Sequence, residues 1–443
     1  MSERIRIAWF SPLSSSAGGE TFSAYFTDML VNELSKEFDI EFFHDSFLGY
    51  QDYKTFHFLK AFKRHRDNPF DIFFYQLEDR READFVRMHL GVKPGVVLFH
   101  DFIFRSLGPD PILNSPWQEI VARWNGDRVD WPARDALYDA NGPHAMREAA
   151  FALVPLFSSE RGHSEYLRCV KDKLKFNNSI SDWQSLFIPF PVDAGLSALC
   201  SEKTGRDLAF CGSTGIEHRA HKVLHALSEV EFPYTFHWLI NPSEEETARE
   251  LLEEFNIDNY RLYAGRTPDK WVELLKGCRI AVHTMFSVYG EPGPYLAMSI
   301  VSGKHTVVTN FGSVEYLPDN VVYKVNPGNS EVVTLRELFN ELLEPELMPG
   351  LKFTSEYGIE TYSTSKISDE LGYVFNRAAA DCSRFMNDWD SFELEARAAL
   401  FSELKGFLCE SDRALLPIDG GWIFNNIMTP AFKELFGVEI SEA

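Results

Sequence analysis

Two series of apolar, strand-like runs separated by helical segments constrain this chain more than any other feature of its sequence. The runs of the first series are Arg6–Phe10, Ile40–Phe43, Asp71–Gln76 and Gly95–His100. The runs of the second series are Asp207–Cys211, Thr235–Ile240, Tyr260–Tyr263, Ile280–His283 and Thr306–Thr309. Short apolar runs that alternate with helical patterns are typical of a parallel sheet covered by helices on both faces. The sequence therefore predicts an α/β protein with two Rossmann-like domains.

A segment with two prolines, Ile188–Asp193, separates the two series and is typical of a linker. We predict an amino-terminal domain over residues 1–193 and a second domain over residues 194–355. Residues 356–443 are expected to form carboxyl-terminal helices that cross back to the first domain, followed by an extension. Because open parallel sheets bind ligands at the carboxyl ends of their strands, we expect both sheets to face one central cleft.

The charge and composition of the chain exclude several classes of protein. Its 43 Lys and Arg residues against 66 Asp and Glu residues give a net charge of -23, which repels the phosphates of nucleic acids. The 6 cysteines have no paired spacing, so they predict neither a zinc site nor a disulfide framework. The sequence has no secretory signal pattern and no apolar run of ~18 residues that would span a bilayer. We therefore expect a cytoplasmic protein with no metal site and no nucleic-acid partner.

A small-residue loop follows the first predicted strand and precedes a helical pattern over Glu20–Leu34. Its Gly18 and Gly19 would let backbone amides approach a phosphate at the positive end of the helix. The loop has neither the G-x-G-x-x-G spacing of a dinucleotide site nor the Gly-Lys-Ser/Thr of a P-loop. A plain tight turn is the alternative interpretation.

A second glycine loop follows the first strand of the second series and leads into a cationic segment. Its candidate ligands are Gly212, Ser213, His218, Arg219 and Lys222. A diphosphate leaving group needs such a combination, because cations stabilise the negative charge that develops as it departs. A solvated helix start is the alternative.

The glycine-rich turn Tyr289–Pro294 precedes an apolar helix that is expected to reach Gly303. Its Glu291 is a candidate acceptor of hydrogen bonds from sugar hydroxyls. The amides of Gly290 and Gly293 are candidate phosphate ligands. An ordinary surface turn is the alternative.

His100 and Asp101 lie where an apolar strand ends, at the edge of a parallel sheet that faces the cleft. His100 is a candidate for giving a proton to a bound hydroxyl or taking one from it. A buried structural or capping histidine is the alternative. Asp101 is expected to orient His100 or to cap the next helix.

Basic and aromatic residues alternate between Lys54 and Arg66. One interpretation of the stretch is a weak peripheral contact with a lipid-phosphate acceptor or with an anionic membrane surface. The alternative is an ordinary helix face. The aromatic tail from Trp389 to Phe436 is expected to pack onto the amino-terminal domain or onto another subunit. If the tail packs onto another subunit, the protein is an oligomer.

The order of several segments resembles bacterial retaining glycosyltransferases of family 4, over roughly residues 4–378. The resemblance rests on IAWFSPL at 7–13 with the turn after it, VVLFHD at 96–101, IPFPVD at 188–193, FCGSTGIEHRAHKVLHAL at 210–227 and YGEPGPYLAMSIVSGKHTVVTNFGSVEYLPD at 289–319. It implies a GT-B fold and transfer of a sugar from a nucleotide-diphosphate donor with retention of configuration. It also implies that no metal or cofactor is obligatory.

The resemblance assigns roles to individual residues. It implies that His100 lies near the donor sugar and the acceptor. It places the Gly18-Gly19 turn at the diphosphate and the Gly265-Arg266 loop near the nucleotide base. Glu291 matches the first acid of the family's paired acidic motif, which holds sugar hydroxyls. The implied donor is a UDP- or GDP-sugar, and the acceptor is a glycan, a lipid-linked sugar or a small molecule.

Three positions depart from the pattern of that family. Met298 occupies the position of the second acid. Ser213 and His218 replace the arginine and lysine that hold the diphosphate. Arg219 and Lys222 are the candidate substitutes.

The expected reaction is transfer on the face that the nucleotide leaves, with Arg219 neutralising the diphosphate and Glu291 fixing the sugar. Polysaccharide biosynthesis is the expected context. The departures support a second hypothesis, a catalytically silent GT-B-like subunit that binds a nucleotide sugar or a partner glycosyltransferase. An epimerase is a third hypothesis, which fits less well because such enzymes use several acids in the cleft.

Overall fold

Two parallel sheets follow one another along the chain in this structure, which is a computed structural model. The structure describes residues 4–13, 21–45, 53–104, 145–174, 185–200, 207–286, 293–344, 352–380 and 424–436. Flanking helices accompany both sheets. The predicted α/β class is therefore confirmed.

Among the described residues, the first sheet has seven strands in the order β3-β2-β1-β4-β5-β6-β7, and all neighbours are parallel. The strands are β1 (Arg6–Phe10), β2 (Asp39–His44), β3 (Thr55–His57), β4 (Ile72–Leu77), β5 (Gly95–Phe99), β6 (Ala152–Phe157) and β7 (Leu186–Phe187). The helices among them are α1 (Phe22–Leu34), α2 (Ala61–Asp67), α3 (Asp84–Leu90), α4 (Met146–Phe151) and α5 (Glu160–Leu174). The strand order changes direction between β1 and β4, which is where open α/β sheets form a ligand crevice.

Aromatic side chains fill the core on both faces of β1. Residues 7–10 are fully buried. Trp9 packs edge-on against Phe74 with ring centroids 4.4 Å apart, and Phe10 stacks on Phe43 at 5.0 Å. Because successive side chains of a strand point to opposite faces, burial of all four requires cover on both faces of the sheet.

In the part of the chain that the structure describes, the second sheet has six strands in the order β10-β9-β8-β11-β12-β13, again all parallel. The strands are β8 (Asp207–Cys211), β9 (Thr235–Ile240), β10 (Tyr260–Ala264), β11 (Ile280–His283), β12 (His305–Thr309) and β13 (Tyr323–Val325). The helices from the linker onward are α6 (Leu196–Leu199), α7 (Ala220–Ser228), α8 (Glu245–Glu254), α9 (Pro268–Gly277), α10 (Pro294–Val301) and α11 (Glu331–Leu343). Every strand predicted from the sequence is present in the two sheets, within a residue of its predicted bounds.

Strand β6 is absent from the predicted strands because its sequence, ALVPLF, contains a proline, which usually marks an edge strand or a break. In the structure β6 pairs with β5 along its length, but with β7 only at Leu156 and Phe157. Pro155 therefore precedes the residues that pair with a second neighbour. Proline has no amide hydrogen to donate, but this does not affect the pairing of β6 with β7, which begins at the next residue.

Two helices follow near the carboxyl end; the first packs against α10 in the second half, and the second returns to the first sheet. They are α12 (Lys352–Tyr362) and α13, which spans residues 364–380. Phe375 of α13 is fully buried and packs against Phe38 and Phe74, with ring centroids 5.6 and 5.2 Å away. Helix α13 thus completes the core of the first half.

The last described helix, α14 (Thr429–Phe436), lies against α2 in the first half. Arg66 Nη1 donates a hydrogen bond to the carbonyl of Lys433 at 3.5 Å. The described end of the aromatic tail therefore contacts the same chain, while an oligomer stays a prediction. No helix in the described ranges combines the length and the apolar character that crossing a membrane requires.

The basic stretch around Arg64 is partly neutralised by the first sheet. Lys54 Nζ lies 2.8 Å from Asp39 Oδ1, and Arg64 Nε lies 2.5 Å from the buried Glu41. The Arg64 guanidinium also lies over the Phe56 ring, 3.7 Å from its centroid. These contacts favour the interpretation of the stretch as a structural helix face.

The carboxyl ends of the two sheets face each other. Phe22, at the start of α1, contacts Gly293, which directly precedes α10. Arg161, near the start of α5, forms an ion pair with Glu315, which follows β12; its Nη1 lies 3.0 Å from Oε2. Each of these residues follows the carboxyl end of a strand. The space between the halves is therefore the central cleft expected from the sequence.

Candidate functional site in the cleft

The loop after β8 forms part of the cleft wall in the second half. Gly212 begins this loop. Thr214 donates to Glu244 Oε1 through its amide at 3.1 Å and through its hydroxyl at 3.2 Å. Ser213 Oγ accepts from the Gly215 amide at 2.9 Å. Two amides of the loop are therefore already bonded within the protein, so the loop offers fewer donors to a phosphate than its sequence suggests.

Arg266 follows β10 and extends toward the loop after β8, where it contacts the Cys211 thiol. Gly265 before it has φ of 90°, a conformation that other residues rarely adopt. Arg266 Nε is buried and has no hydrogen-bond partner, and among the described residues no carboxylate forms an ion pair with this guanidinium. A cation removed from water is costly unless an anion is close. The site is therefore suited to an anionic ligand.

His218 lies beside Arg266 and contributes a neutral ring. Burial, followed by the charge of Arg266, lowers the pKa of His218 to about 4. Its Nδ1 is buried and has no hydrogen-bond partner among the described residues. Thr284 Oγ1, after β11, donates to the His218 carbonyl at 2.8 Å and fixes the backbone there. The imidazole can exchange one hydrogen bond with a ligand but supplies no charge.

Arg219 is already paired within the protein. Its guanidinium forms a two-point ion pair with Glu331, a fully buried residue at the start of α11. This buried carboxylate neutralises the cation, so the predicted role of Arg219 at a diphosphate requires Glu331 to release it. Lys222, in the first turn of α7, is half-buried and stays the other candidate.

His100 directly follows β5 and is buried in the first half. Its Nε2 lies 2.8 Å from Gln76 Oε1, and its Nδ1 lies 3.3 Å from Ser158 Oγ. The ring stacks on Phe190 with centroids 5.0 Å apart, and burial lowers the pKa of His100 to about 3. These contacts match the alternative interpretation, a buried structural histidine, because both ring nitrogens are engaged. A role for His100 near donor and acceptor stays a prediction.

Comparison with known proteins places this cleft in a known architecture. No family model and no curated protein matches the sequence. The structure of HepE from Anabaena in complex with UDP and glucose is similar at 13% identity and a TM-score of 0.57, over 84% of this chain and 100% of that one. Sucrose-phosphate synthase from Thermosynechococcus elongatus is similar at 11% identity and a TM-score of 0.57, over 85% and 100% of the two chains. A glycosyltransferase from Rickettsia africae is similar at 9% identity and a TM-score of 0.56, over 85% and 99%.

The fold is GT-B. At these identities the likeness establishes the architecture, while the chemistry depends on the residues that line the cleft.

Helix α10 begins in the GT-B cleft at the contact between the two halves. Gly293 before it has φ of 76° and ψ of -169°, a combination that is essentially limited to glycine. Met298, which the resemblance predicts at the position of the second acid, is 4% exposed and packs in the core. Helix α10 therefore presents no acid to a ligand at that position.

Glu78 follows β4 in the first half of the GT-B cleft and is a buried acid that no sequence motif marks. Its Oε2 accepts from the Ser23 amide and hydroxyl, each at 2.9 Å, and its Oε1 lies 3.4 Å from Arg80 Nε. Burial raises the pKa of Glu78 to about 7 and that of Asp101 to about 6. Asp101 accepts from the Asp79 amide at 2.9 Å. The position of Glu78, after a strand beside the change in strand order, is the signal that would have identified it.

Four predicted site residues, Gly18, Gly19, Gly290 and Glu291, lie outside the described residues, and their roles stay predictions. In the ranges that the structure does describe, no three His, Cys, Asp or Glu side chains are placed to hold a metal ion.

Proposed function

We propose that this chain is a glycosyltransferase that moves a sugar from a nucleotide-diphosphate donor to an acceptor hydroxyl with retention of configuration. The observation that carries the proposal is the pair formed by Arg266 and His218 at the carboxyl edge of the second sheet. Each has a buried nitrogen without a hydrogen-bond partner. Among the described residues no carboxylate forms an ion pair with the cation, although the charge of Glu244 acts on it and helps to raise the pKa of Arg266. A nucleotide diphosphate supplies the missing negative charge. The likeness to HepE, which was solved with UDP and glucose, supports this choice of ligand.

In the proposed reaction the bond between the anomeric carbon and the donor phosphate breaks, and negative charge develops on the departing diphosphate. Arg266 stabilises this charge in place of the cations that Ser213 and His218 replace. The acceptor hydroxyl attacks from the same face, and its proton passes to the departing phosphate. Glu291 holds the sugar hydroxyls in this proposal. The protein thus acts by positioning and by stabilising charge.

The test is the affinity for nucleotides of an Arg266→Ala variant. The variant loses a charge-assisted hydrogen bond to the ligand. This loss should weaken the binding of UDP or GDP by about tenfold or more, because such bonds contribute roughly 1.5–3 kcal/mol. Isothermal titration calorimetry measures the change. Arg249→Ala is the matched control, since Arg249 pairs with Glu245 on the exposed surface of α8. Equal affinity of Arg266→Ala and wild type would remove Arg266 from the site.

A catalytically silent subunit is the second candidate, and two contacts favour it. Glu331 neutralises Arg219, and Glu244 occupies the Thr214 amide. Such a subunit binds nucleotide sugars without turning them over. Titration with UDP- and GDP-sugars followed by a product assay separates the candidates, because binding without hydrolysis or transfer contradicts the enzyme.

A further inference from the structure

Phe286 and Phe311 form an aromatic pair at the carboxyl edge of the second sheet. Phe286 follows β11 and Phe311 follows β12, and these two strands are neighbours. Their ring centroids are 3.7 Å apart and their planes differ by 5°. Phe286 remains 38% exposed although Phe311 covers one face of its ring. A large aromatic side chain left open on the wall of a cleft is placed to contact a ligand. We call this pair the aromatic platform.

Polar groups border the aromatic platform. The guanidinium carbon of Arg219 lies over the Phe286 ring, 5.6 Å from its centroid, and Glu331 holds that guanidinium. The Phe286 amide donates to the carbonyl of Glu217 at 2.7 Å, which fixes the platform to the loop after β8. The platform therefore combines the exposed part of the Phe286 ring with a charged group held close to it.

The aromatic platform lies on one side of the proposed diphosphate site, and Arg266 comes from the other. In the sheet, β11 and β12 follow β8 in one direction, while β9 and β10 follow it in the opposite direction. Because neighbouring strands are about 4.8 Å apart, the platform lies about 5–10 Å along the sheet edge from the loop after β8. That distance fits the group attached directly to the diphosphate.

A sugar ring suits the aromatic platform by its chemistry. One face of a pyranose carries carbon-bound hydrogens that pack on an aromatic ring, and its hydroxyls project from the edge toward polar groups. We propose that Phe286 and Phe311 bind the sugar ring of the donor by stacking and so help to select the sugar that is transferred. This inference rests on the proposed function, since it assumes a nucleotide-sugar donor.

The experiment compares each nucleotide with its sugar conjugate, using UDP with UDP-glucose and GDP with GDP-mannose. Phe286→Ala should weaken binding of the nucleotide sugar by about fivefold and leave binding of the matching nucleotide unchanged, because the platform contacts only the sugar. Phe286→Tyr keeps the ring and should restore the affinity. Phe353→Ala, at an exposed phenylalanine of α12, is the matched control. Thermal denaturation of each variant shows whether it is folded, and Phe286→Leu carries the test if the alanine variant is not.

Each other outcome overturns the inference in a recognisable way. Equal losses for the nucleotide and its sugar conjugate would place the nucleobase on the platform. Unchanged binding of both would show that the platform does not contact the donor, while the proposed function would stand. If wild type binds none of the four ligands, the proposed function fails as well.

Discussion

Burial, more than neighbouring charge, sets the protonation of residues in this cleft. It is the largest cause of the lowered pKa of His100 and His218 and of the raised pKa of Glu78. In each case the desolvated group favours its neutral form. His218 therefore adds no charge to the proposed diphosphate site, and Arg266 is the cation of that pair.

Glu78 makes the stability of the protein depend on pH. Its pKa is about 7 in the folded protein against 4.5 as the ordinary value, so the unfolded chain releases this proton at lower pH. Stability is therefore lost as pH rises from about 4.5 through about 7. Glu78→Gln removes the loss and should raise the free energy of unfolding by about 3 kcal/mol above pH 7, with no gain below pH ~4.5. Urea denaturation at both pH values measures the difference.

The matched control for this prediction is Glu337→Gln in α11, where the side chain is 70% exposed. This variant should stay within about 0.5 kcal/mol of wild type at both pH values. If Glu78→Gln gave the same free energy of unfolding as wild type at high pH, burial of the charged Glu78 would not be the cause.

At the scale of elements, helix α13 belongs energetically to the first sheet, although it follows the second sheet in sequence. Phe375 is its deepest contact there. Phe375→Ala should lower the free energy of unfolding by about 3–5 kcal/mol, because it leaves a cavity between α13 and the sheet. Urea denaturation followed by tryptophan fluorescence measures this loss. Tyr373→Ala, at a side chain of the same helix that is 54% exposed, should cost far less, and equal costs would mean that α13 is not part of the core.

At the scale of the whole molecule, Phe22 and Gly293 lie at a contact between the two halves. Gly293→Ala should lower the free energy of unfolding by about 1–3 kcal/mol, because its backbone conformation excludes other residues and its added carbon meets the Phe22 ring. Adding Phe22→Ala removes the steric part of this loss and leaves the backbone part. Chemical denaturation of the single and double variants separates the two.

Gly277→Ala is the control for this prediction, since a carbon added at Gly277 meets no atom within 4 Å. It should leave the stability within about 0.5 kcal/mol of wild type. If the double variant were as stable as Phe22→Ala alone, contact between the halves alone would account for the effect of Gly293→Ala.

The sequence by itself determined most of the strands and the order in which they occur along the chain. Runs such as Asp207–Cys211 carry their apolar pattern locally, and the prolines at 188–193 mark the linker in the same way. Pro155 shows the limit of sequence patterns, because a proline argues against a strand at residues 152–157. Strand β6 accepts this proline only because β7 pairs with the residues after it.

Only the tertiary structure decided which charged and polar groups in the cleft are available to a ligand. Arg219 and Glu331 are 112 residues apart in sequence, yet they neutralise each other. His100 is engaged by hydrogen bonds to Gln76 and Ser158, whereas Arg266 forms no ion pair among the described residues and keeps a buried nitrogen without a partner. The physical reason is that hydrophobic periodicity acts between near neighbours in the chain, while burial and ion pairing depend on residues that folding alone brings together.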